Sequence, residues 1–174
     1  MKMNSNRFFR ILFFVTILTI VLLFNFLVSI YRVKGNSMSE YFKEGRYVFC
    51  MKNNYFSTFD YGDLVVFNIR NGNGENQLLV KQIVGIPGET VQEIRNDDCH
   101  MILILNKNKC IRTITLNKGS NCITNLTDQN TKTVEYHLDN DYFVLGSNYA
   151  KSIDSRDFGP IMQTSIIATI LFSI

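Results

Sequence analysis

The chain has 174 residues, of which 46% are hydrophobic and 13% aromatic, which is ample material for a folded core and excludes a disordered protein. Its formal net charge of +3 at pH 7 is uneven, because the first 34 residues hold five basic residues and no acid, which leaves −2 for the remaining 140. A nucleic-acid-binding domain needs a basic surplus to neutralise phosphates, so this class of partner is excluded.

The first feature along the chain is a long apolar segment. The 21 residues from Ile11 to Tyr31 carry no charge, and a helix needs about 20 to cross a bilayer. The short basic head before them favours a cytoplasmic N-terminus under the positive-inside rule. The alternative is a cleaved secretory signal, but its apolar region spans only about 7–15 residues and ends in a small-residue site that this chain lacks. We therefore predict a cytoplasmic head (1–10), one transmembrane helix in membrane lipid (11–31) and an extracytoplasmic domain (32–174).

After residue 34, short segments rich in Val, Ile, Phe and Tyr alternate with turn residues, and none keeps a 3.6-residue apolar period over ten residues. This pattern indicates an all-β domain of many short strands. The polar run from Asn117 to Thr133 is predicted to be an exposed loop. The predicted strands are Tyr47–Lys52, Leu64–Arg70, Leu78–Ile86, Thr90–Ile94, Met101–Leu105, Cys110–Leu116, Tyr142–Leu145 and Ile166–Phe172.

Four cysteines lie in this part of the chain, and none of their spacings is that of a zinc site. Cys99 and Cys110 bracket a predicted hairpin that turns near residues 106–108, so a disulfide across this hairpin is one interpretation. Four buried free thiols are the other. The sequence leaves both open for Cys50, Cys99, Cys110 and Cys122.

The common catalytic and ligand-binding motifs are missing from the sequence. The two histidines, His100 and His137, lack a nearby glycine-flanked serine, so a Ser-His-Asp site has no support. There is no HExxH motif, no glycine-rich phosphate loop and no cluster of carboxylates and histidines. We therefore expect neither a metal nor a cofactor.

Three other segments contain polar residues that could form a catalytic site: residues 33–42, 78–89 and 146–159. Lys81 falls within a predicted apolar strand, on the face that it shares with residues 79 and 83, which are both apolar. The simpler interpretation is that Lys81 points to solvent. If it lies on the apolar face, burial lowers the pKa of Lys81 and leaves a neutral amine that is able to accept a proton.

In this order, behind an N-terminal anchor, these segments resemble the bacterial type I signal peptidases, serine peptidases with a Ser-Lys dyad, over nearly the whole chain. The resemblance implies an antiparallel multi-stranded catalytic domain behind one N-terminal transmembrane helix. The family's boxes S-M-x-P-T-L, R-G-D-I-V-V-F, K-R-x-x-G-x-P-G-D and G-D-N-R-x-x-S-x-D-S-R-x-x-G align in turn with residues 37–42, 61–67, 81–89 and 146–159.

The resemblance also implies roles for individual residues. Ser37 is the expected nucleophile, Lys81 its general base, and Ser152 the residue that hydrogen-bonds the lysine and orients it. The backbone N–H of Ser37 is expected in the oxyanion hole, and Gly35 stands where some members add a serine hydroxyl. Phe42, where leucine is usual, predicts a narrower or reshaped substrate pocket. The expected substrate-binding residues are Val33, Gly35, Met38, Phe42, Leu79 and Val80.

The support of this site departs from the family's pattern. Asp154 and Arg156 are placed to pair and to brace the last box. In the family, the arginine after the lysine and an aspartate of the last box form an ion pair, whereas Gln82 and Ser147 are both neutral here. Replacing both charged partners costs less stability than leaving one buried charge without its partner. We therefore interpret Gln82 and Ser147 as an altered but working support of the site. The five departures are Glu40 for proline, Arg46 for aspartate, Gln82 for arginine, Ser147 for aspartate and Tyr149 for arginine.

The implied function is the removal of signal peptides from secreted preproteins, with cleavage after small residues at positions −3 and −1. An extended substrate is expected beside the Lys81 strand and near Tyr142–Leu145, where it would add a strand to the sheet. The alternative is a signal-peptidase-like accessory protein that holds a dedicated surface-protein or pilin client during assembly. The five departures favour the accessory protein, whereas the intact Ser37, Lys81 and Ser152 favour the peptidase.

Overall fold

The computed structural model describes residues 5–53, 58–70, 73–96, 99–116 and 131–174, and it begins with helix α1 (Ser5–Leu27). The 19 residues from Phe9 to Leu27 have a mean hydropathy of 2.4, and none is buried by the rest of the chain. The hydroxyls of Thr16 and Thr19 donate to carbonyls one turn earlier in the helix, which satisfies these polar groups without water. Among the described residues, α1 is the one helix long and apolar enough to cross a membrane.

The bounds of α1 differ from the predicted 11–31. The helix starts six residues earlier and ends four residues earlier, because Val28–Arg32 form strand β1. β1 pairs with β2 (Tyr47–Lys52) in antiparallel register, with Ile30 opposite Phe49. The helix therefore runs into the sheet without an intervening residue.

The described chain after α1 forms two antiparallel sheets. The larger has the strand order β1-β2-β11-β3-β4-β9-β10, and the smaller has the order β7-β6-β5-β8. The remaining bounds are β3 (Leu64–Arg70), β4 (Asn76–Gly85), β5 (Thr90–Arg95), β6 (His100–Asn106), β7 (Lys109–Thr115), β8 (Lys132–His137), β9 (Asp141–Leu145), α2 (Ser155–Phe158), β10 (Ile161–Met162) and β11 (Ile166–Ser173), with a 3₁₀ turn at Gln163–Ser165.

All eight predicted strands are present, within two residues of their expected bounds. β1, β8 and β10 were not predicted. The predicted loop at 117–133 is mostly outside the described residues, and its last two residues begin β8.

The larger sheet buries side chains on both faces, as alternation along β3 shows. Val65 and Phe67 pack with Ile83 and Val144 on one face, whereas Val66 packs with a different set on the other. A third cluster joins the smaller sheet to β9. β4 therefore lies between two hydrophobic cores. In the buried part of this strand, a side chain on either face of the sheet packs against one of them.

Both interpretations of the cysteines are wrong. Cys99 is disulfide-bonded, whereas Cys50 is free and buried and Cys110 is free and exposed. The predicted hairpin of β6 and β7 exists, but its register sets Cys110 opposite Leu105, six residues from Cys99. Cys122 lies outside the described residues.

Candidate active site

Lys81 lies in β4 and is 1% exposed, so the interpretation in which it points to solvent is wrong. Its partner across the β3–β4 ladder is Val65, which is fully buried. Burial lowers the pKa of Lys81 to about 8, and the negative charge of Asp154 opposes this shift only in part. At pH 8 about half of the molecules therefore carry Lys81 as a neutral amine, which is the state that can accept a proton.

Ser152 is the hydrogen-bond partner of this lysine. The Lys81 Nζ donates to the Ser152 Oγ at 2.9 Å, and Ser152 is itself 9% exposed. Ser152 lies between β9 and α2, 71 residues along the chain from Lys81. The fold thus brings together two residues that the family resemblance had linked.

Ser37 lies in a turn that follows β1. Gly35 starts this turn at φ +80°, a left-handed conformation that suits glycine. The Met38 carbonyl accepts hydrogen bonds from the N–H groups of Tyr41 (3.0 Å) and Phe42 (2.7 Å) and closes the turn. We call residues 36–41 the serine turn.

The serine turn is held against Ser152 at Gly146. A Cβ atom at Gly146 would lie 2.1 Å from the Ser152 Oγ and 2.7 Å from the Ser37 carbonyl oxygen. Only glycine allows these segments to approach so closely. Two residues later, the N–H of Asn148 donates to the Ser37 carbonyl at 3.0 Å.

Ser37 and Lys81 line the same open cavity of about 240 Å³. In the part of the chain that the structure describes, no direct hydrogen bond joins their side chains. A candidate base and its nucleophile often come into hydrogen-bond contact only when substrate is bound, so the shared cavity is the relevant geometry. Its lining on the β3–β4 side includes Ile69, Gln77 and Leu79.

A second cavity, of about 290 Å³, is more apolar and also reaches Ser37. Phe42 is not among its lining residues. The helical turn after Met38 carries Phe42 into the core below, where it is 6% exposed and packs in the same cluster as Val33 and Met38. Five of the six predicted substrate-binding residues line this cavity: Val33, Gly35, Met38, Leu79 and Val80.

The described part of β4 has one unpaired stretch of edge. β3 pairs with β4 along Asn76–Gln82, whereas β9 reaches only Gln82, Ile83 and Gly85. β9 itself is covered, because β10 pairs with its start and Ser155 Oγ accepts the Val144 N–H at 2.9 Å. A substrate strand therefore has room beside Asn76–Lys81. Leu145 pairs with Gln82 at the end of this stretch, and the approach of a substrate to Tyr142–Leu145 stays a prediction.

The predicted brace between Asp154 and Arg156 is present. The Arg156 Nε and Nη2 donate to the two carboxylate oxygens at 2.7 Å and 2.9 Å, with Asp154 fully buried. Arg156 also donates to the carbonyls of Tyr149 (3.0 Å) and Ser152 (3.3 Å). Burial raises the pKa of Asp154, but hydrogen bonds from Arg156 and from the Gly146 N–H outweigh this and lower it overall. The ion pair thus fixes the backbone that carries Ser152.

Gln82 and Ser147 do not contact each other but bind neighbouring residues of the serine turn. The Tyr41 hydroxyl donates to the Gln82 Oε1 at 3.2 Å, and the Glu40 N–H donates to the Ser147 Oγ at 3.3 Å. A proline at position 40 has no N–H to donate. Glu40 and Ser147 are therefore matched departures, because each supplies one partner of a hydrogen bond. Nothing in the structure connects the exposed Arg46 side chain with the site.

Several residues of the site were missed by the sequence analysis. Tyr41, within the serine turn, binds Gln82; Asn148 binds the Ser37 carbonyl of this turn, and Gly146 permits the approach of the turn. The Gly-Ser-Asn sequence that starts the last box predicts a turn, but it does not show that this turn contacts another turn about 100 residues away, because the fold determines that contact.

Within the described ranges, no group of three His, Cys, Asp or Glu residues is placed to hold a metal ion. A further cavity, of about 370 Å³ beside Tyr31 and Lys52, is lined by none of the predicted site residues.

Comparisons with known proteins agree with this geometry. Residues 6–174 match the family described as signal peptidase, peptidase S26. The chain is 34% identical over 152 residues to signal peptidase I S of Bacillus subtilis, which covers 82% of this chain and 74% of that protein. It is 32% identical over 155 residues to a signal peptidase I of Bacillus amyloliquefaciens (82% and 73% covered). It is 30% identical over 154 residues to signal peptidase IB of Staphylococcus aureus (84% and 78% covered).

Among solved structures, the chain is similar to a crystal structure of a signal peptidase I from Enterococcus faecalis. The sequence identity is 25%, the alignment covers 66% of this chain and 98% of that chain, and the TM-score is 0.38.

Proposed function

Because this chain belongs to the signal peptidase family, peptidase S26, and is a signal peptidase I-type serine endopeptidase that removes signal peptides, we propose that Ser37 is its nucleophile and Lys81 its general base. The observation that carries this assignment is the burial of Lys81, hydrogen-bonded to Ser152, in a cavity that Ser37 also lines. A serine hydroxyl is a poor nucleophile until a base removes its proton, and a neutral lysine does this without a histidine.

The proposed reaction has two steps. The neutral Lys81 amine takes the Ser37 proton as the Ser37 Oγ attacks the carbonyl carbon of residue −1, and the Ser37 N–H stabilises the negative oxygen. Lys81 then gives its proton to the amine of residue +1, which leaves as the N-terminus of the mature protein. A water molecule, deprotonated by Lys81, then attacks the acyl carbon, and Lys81 returns the proton to the Ser37 Oγ as the signal peptide leaves with a free carboxylate. Ser152 holds the amine in one orientation through both steps.

The substrate is proposed to bind as an extended strand along the Asn76–Lys81 edge of β4. Its small side chains at −1 and −3 point to the same side of such a strand, where the apolar 290 Å³ cavity offers Met38 and Val80 as walls. The proposed topology sets the N-terminus in the cytoplasm, α1 across the membrane and the two sheets outside. The acid-free basic head before α1 supports this orientation.

The test is cleavage of a purified preprotein by the full-length protein in detergent, beside its Ser37→Ala and Lys81→Met variants. We expect product from the parent alone, with the cut after a small residue as read by N-terminal sequencing. Ser165→Ala removes an exposed hydroxyl that bonds only the Met162 carbonyl and serves as the matched control. Cleavage by a folded Lys81→Met variant at the parental rate would remove Lys81 from the proposal. Absence of cleavage by the folded parent would favour the accessory role.

A further inference from the structure

The two cavities that meet at Ser37 lie on opposite faces of the β3–β4 ladder. Val66 and Val80 are opposite each other in the ladder and line the apolar cavity, whereas Ile69 and Gln77 are opposite each other and line the second one. Residues 78 and 80 of β4 point to one face, and residues 77, 79 and 81 point to the other. A cavity therefore opens toward each face at the edge of β4. The two cavities meet at Lys34, Gly35, Ser37 and Leu79, which line both, whereas Lys81 and Lys151 line only the second.

A substrate strand along this edge divides its side chains in the same way. Successive residues of a strand point to alternate faces, so positions −1 and −3 share one compartment and position −2 enters the other. This step rests on the proposed function, which assigns the apolar cavity to −1 and −3. The side chain at −2 then enters the compartment of Ile69, Gln77 and Lys81.

That second compartment is basic. Lys34 and Lys151 stand on its rim, both exposed, and Lys81 lies at its base. None of its lining residues is acidic. In the part of the chain that the structure describes, neither Lys34 nor Lys151 is in an ion pair, so both ammonium groups are available to a substrate carboxylate. The nearby Glu44 carboxylate accepts the Gly35 N–H at 3.1 Å. The acids that act on Lys81, Asp154 and Asp157, belong to the brace and do not line the cavity.

We propose that Lys34 and Lys151 form a subsite for the side chain at −2 that favours acidic residues there and disfavours basic ones. An exposed ion pair contributes little singly, and two lysines that share one carboxylate give a preference of about three- to tenfold for glutamate over lysine. The preference is electrostatic and weakens as ionic strength rises. It selects among preproteins that already satisfy the small-residue rule at −1 and −3.

The test uses the full-length protein in nonionic detergent with three preproteins that differ only at −2, as Glu, Gln or Lys. We expect kcat/KM to fall in that order and the spread to shrink in about 0.5 M salt. In the double variant Lys34→Gln/Lys151→Gln, the Glu-to-Lys ratio is expected to fall to about one. The double variant Lys107→Gln/Lys109→Gln, in the exposed β6–β7 hairpin, removes the same two charges and is expected to keep the ratio.

The outcomes separate the subsite from the proposed function. Cleavage of all three preproteins at equal kcat/KM, or a ratio that survives in the double variant, would overturn the subsite and leave the Ser37–Lys81 assignment intact. A ratio lost equally in Lys107→Gln/Lys109→Gln would overturn it too, since the effect would then come from net charge. Cleavage of none of them would overturn the proposed function, and the subsite with it.

Discussion

At the scale of single residues, the site depends on a lysine kept from water without a fixed counter-ion. Lys81 hydrogen-bonds a neutral hydroxyl, while the nearby carboxylate of Asp154 is already engaged by Arg156. A direct carboxylate partner would hold the amine in its protonated state and raise its pKa. The Asp154–Arg156 ion pair thus holds the residues around Lys81 in place, while the pKa of the Lys81 amine stays low.

The depressed pKa predicts how activity depends on pH. Because the neutral amine is the reactive state in the proposed mechanism, we expect kcat/KM to rise with pH with a midpoint near 8, the pKa of Lys81. Lys81→Met is expected to lose about 100- to 10,000-fold in activity across the range. The measurement is cleavage of a soluble signal-peptide substrate between pH 6 and pH 10. A flat profile would contradict a titrating lysine as base.

The same shift predicts how stability depends on pH. Between pH 8 and the ordinary lysine value of 10.5, the unfolded chain holds a proton that folded Lys81 has lost, so the free energy of unfolding rises with pH. The rise due to Lys81 is about 3 kcal/mol. It should be absent from Lys81→Met, so urea unfolding at pH 7.5 and pH 10 is compared between the two proteins. Equal pH dependence in both would show that burial does not shift this lysine.

Gly146 is the second residue with a specific consequence. Its alanine variant forces Ser152 and the Ser37 carbonyl apart, and a displacement of about 1 Å costs on the order of 100-fold in rate. The control is Gly85→Ala, where the new methyl meets Leu138 and Val91 at 2.9 Å in another core. We expect both variants to lose stability, but only Gly146→Ala to lose specific activity of the folded fraction. A Gly146→Ala enzyme with full specific activity would contradict the close packing.

At the scale of elements, α2 and its N-terminal loop act as a brace. Asp154 caps α2, accepts the Gly146 N–H and pairs with Arg156, which in turn holds the carbonyls of Tyr149 and Ser152. Four residues are too few for a stable helix by themselves. The ion pair, and not helical propensity, therefore maintains this element.

This element predicts an asymmetry between single and double variants. Arg156→Met leaves the carboxylate of Asp154 buried and unpaired, which costs about 3–5 kcal/mol in the free energy of unfolding. Asp154→Asn/Arg156→Met removes both charges and is expected to cost less. Urea unfolding of the three proteins at pH 7 measures the difference. The two variants would be equally unstable if the ion pair contributed nothing beyond packing.

Helices and strands were predictable from the sequence where the apolar residues of a segment follow one period. The period-2 pattern around Lys81 predicted both the strand and the buried face. β1 was missed because an apolar strand directly follows an apolar helix, and hydropathy gives no boundary between them. The burial of Phe42 with Val33 and Met38 was not predictable, because a turn has no period from which to read the direction of a side chain; its role in the substrate pocket stays a prediction.

At the scale of the whole molecule, the continuity of α1 with β1 couples the catalytic domain to the membrane. The helix end also meets the sheet directly, since the Lys52 Nζ donates to the Asn25 carbonyl at 2.9 Å. A hinge would need a stretch of unpaired backbone between the two, and β1 pairs with β2 from its first residue, Val28. No unpaired spacer therefore separates the two sheets from α1.

The proposed topology can be tested with a cysteine that the structure leaves exposed. Cys110 is exposed and free, whereas Cys50 is buried, and this burial raises the pKa of its thiol to about 11. We expect a membrane-impermeant maleimide to label the protein in intact protoplasts and Cys110→Ser to abolish that labelling. Labelling that requires lysis would place the sheets in the cytoplasm and contradict the proposed topology.

The absence of a spacer between helix and sheet also sets a length scale for substrates. Ser37 is ten residues beyond Leu27, so even a fully extended path keeps it within about 35 Å of the helix end. An enzyme on so short a tether does not search the surrounding solution. It meets only peptide bonds that emerge at a similar height above the bilayer. We therefore expect the short connection from α1 through β1 to select preproteins by the distance between their own apolar segment and their cleavage site.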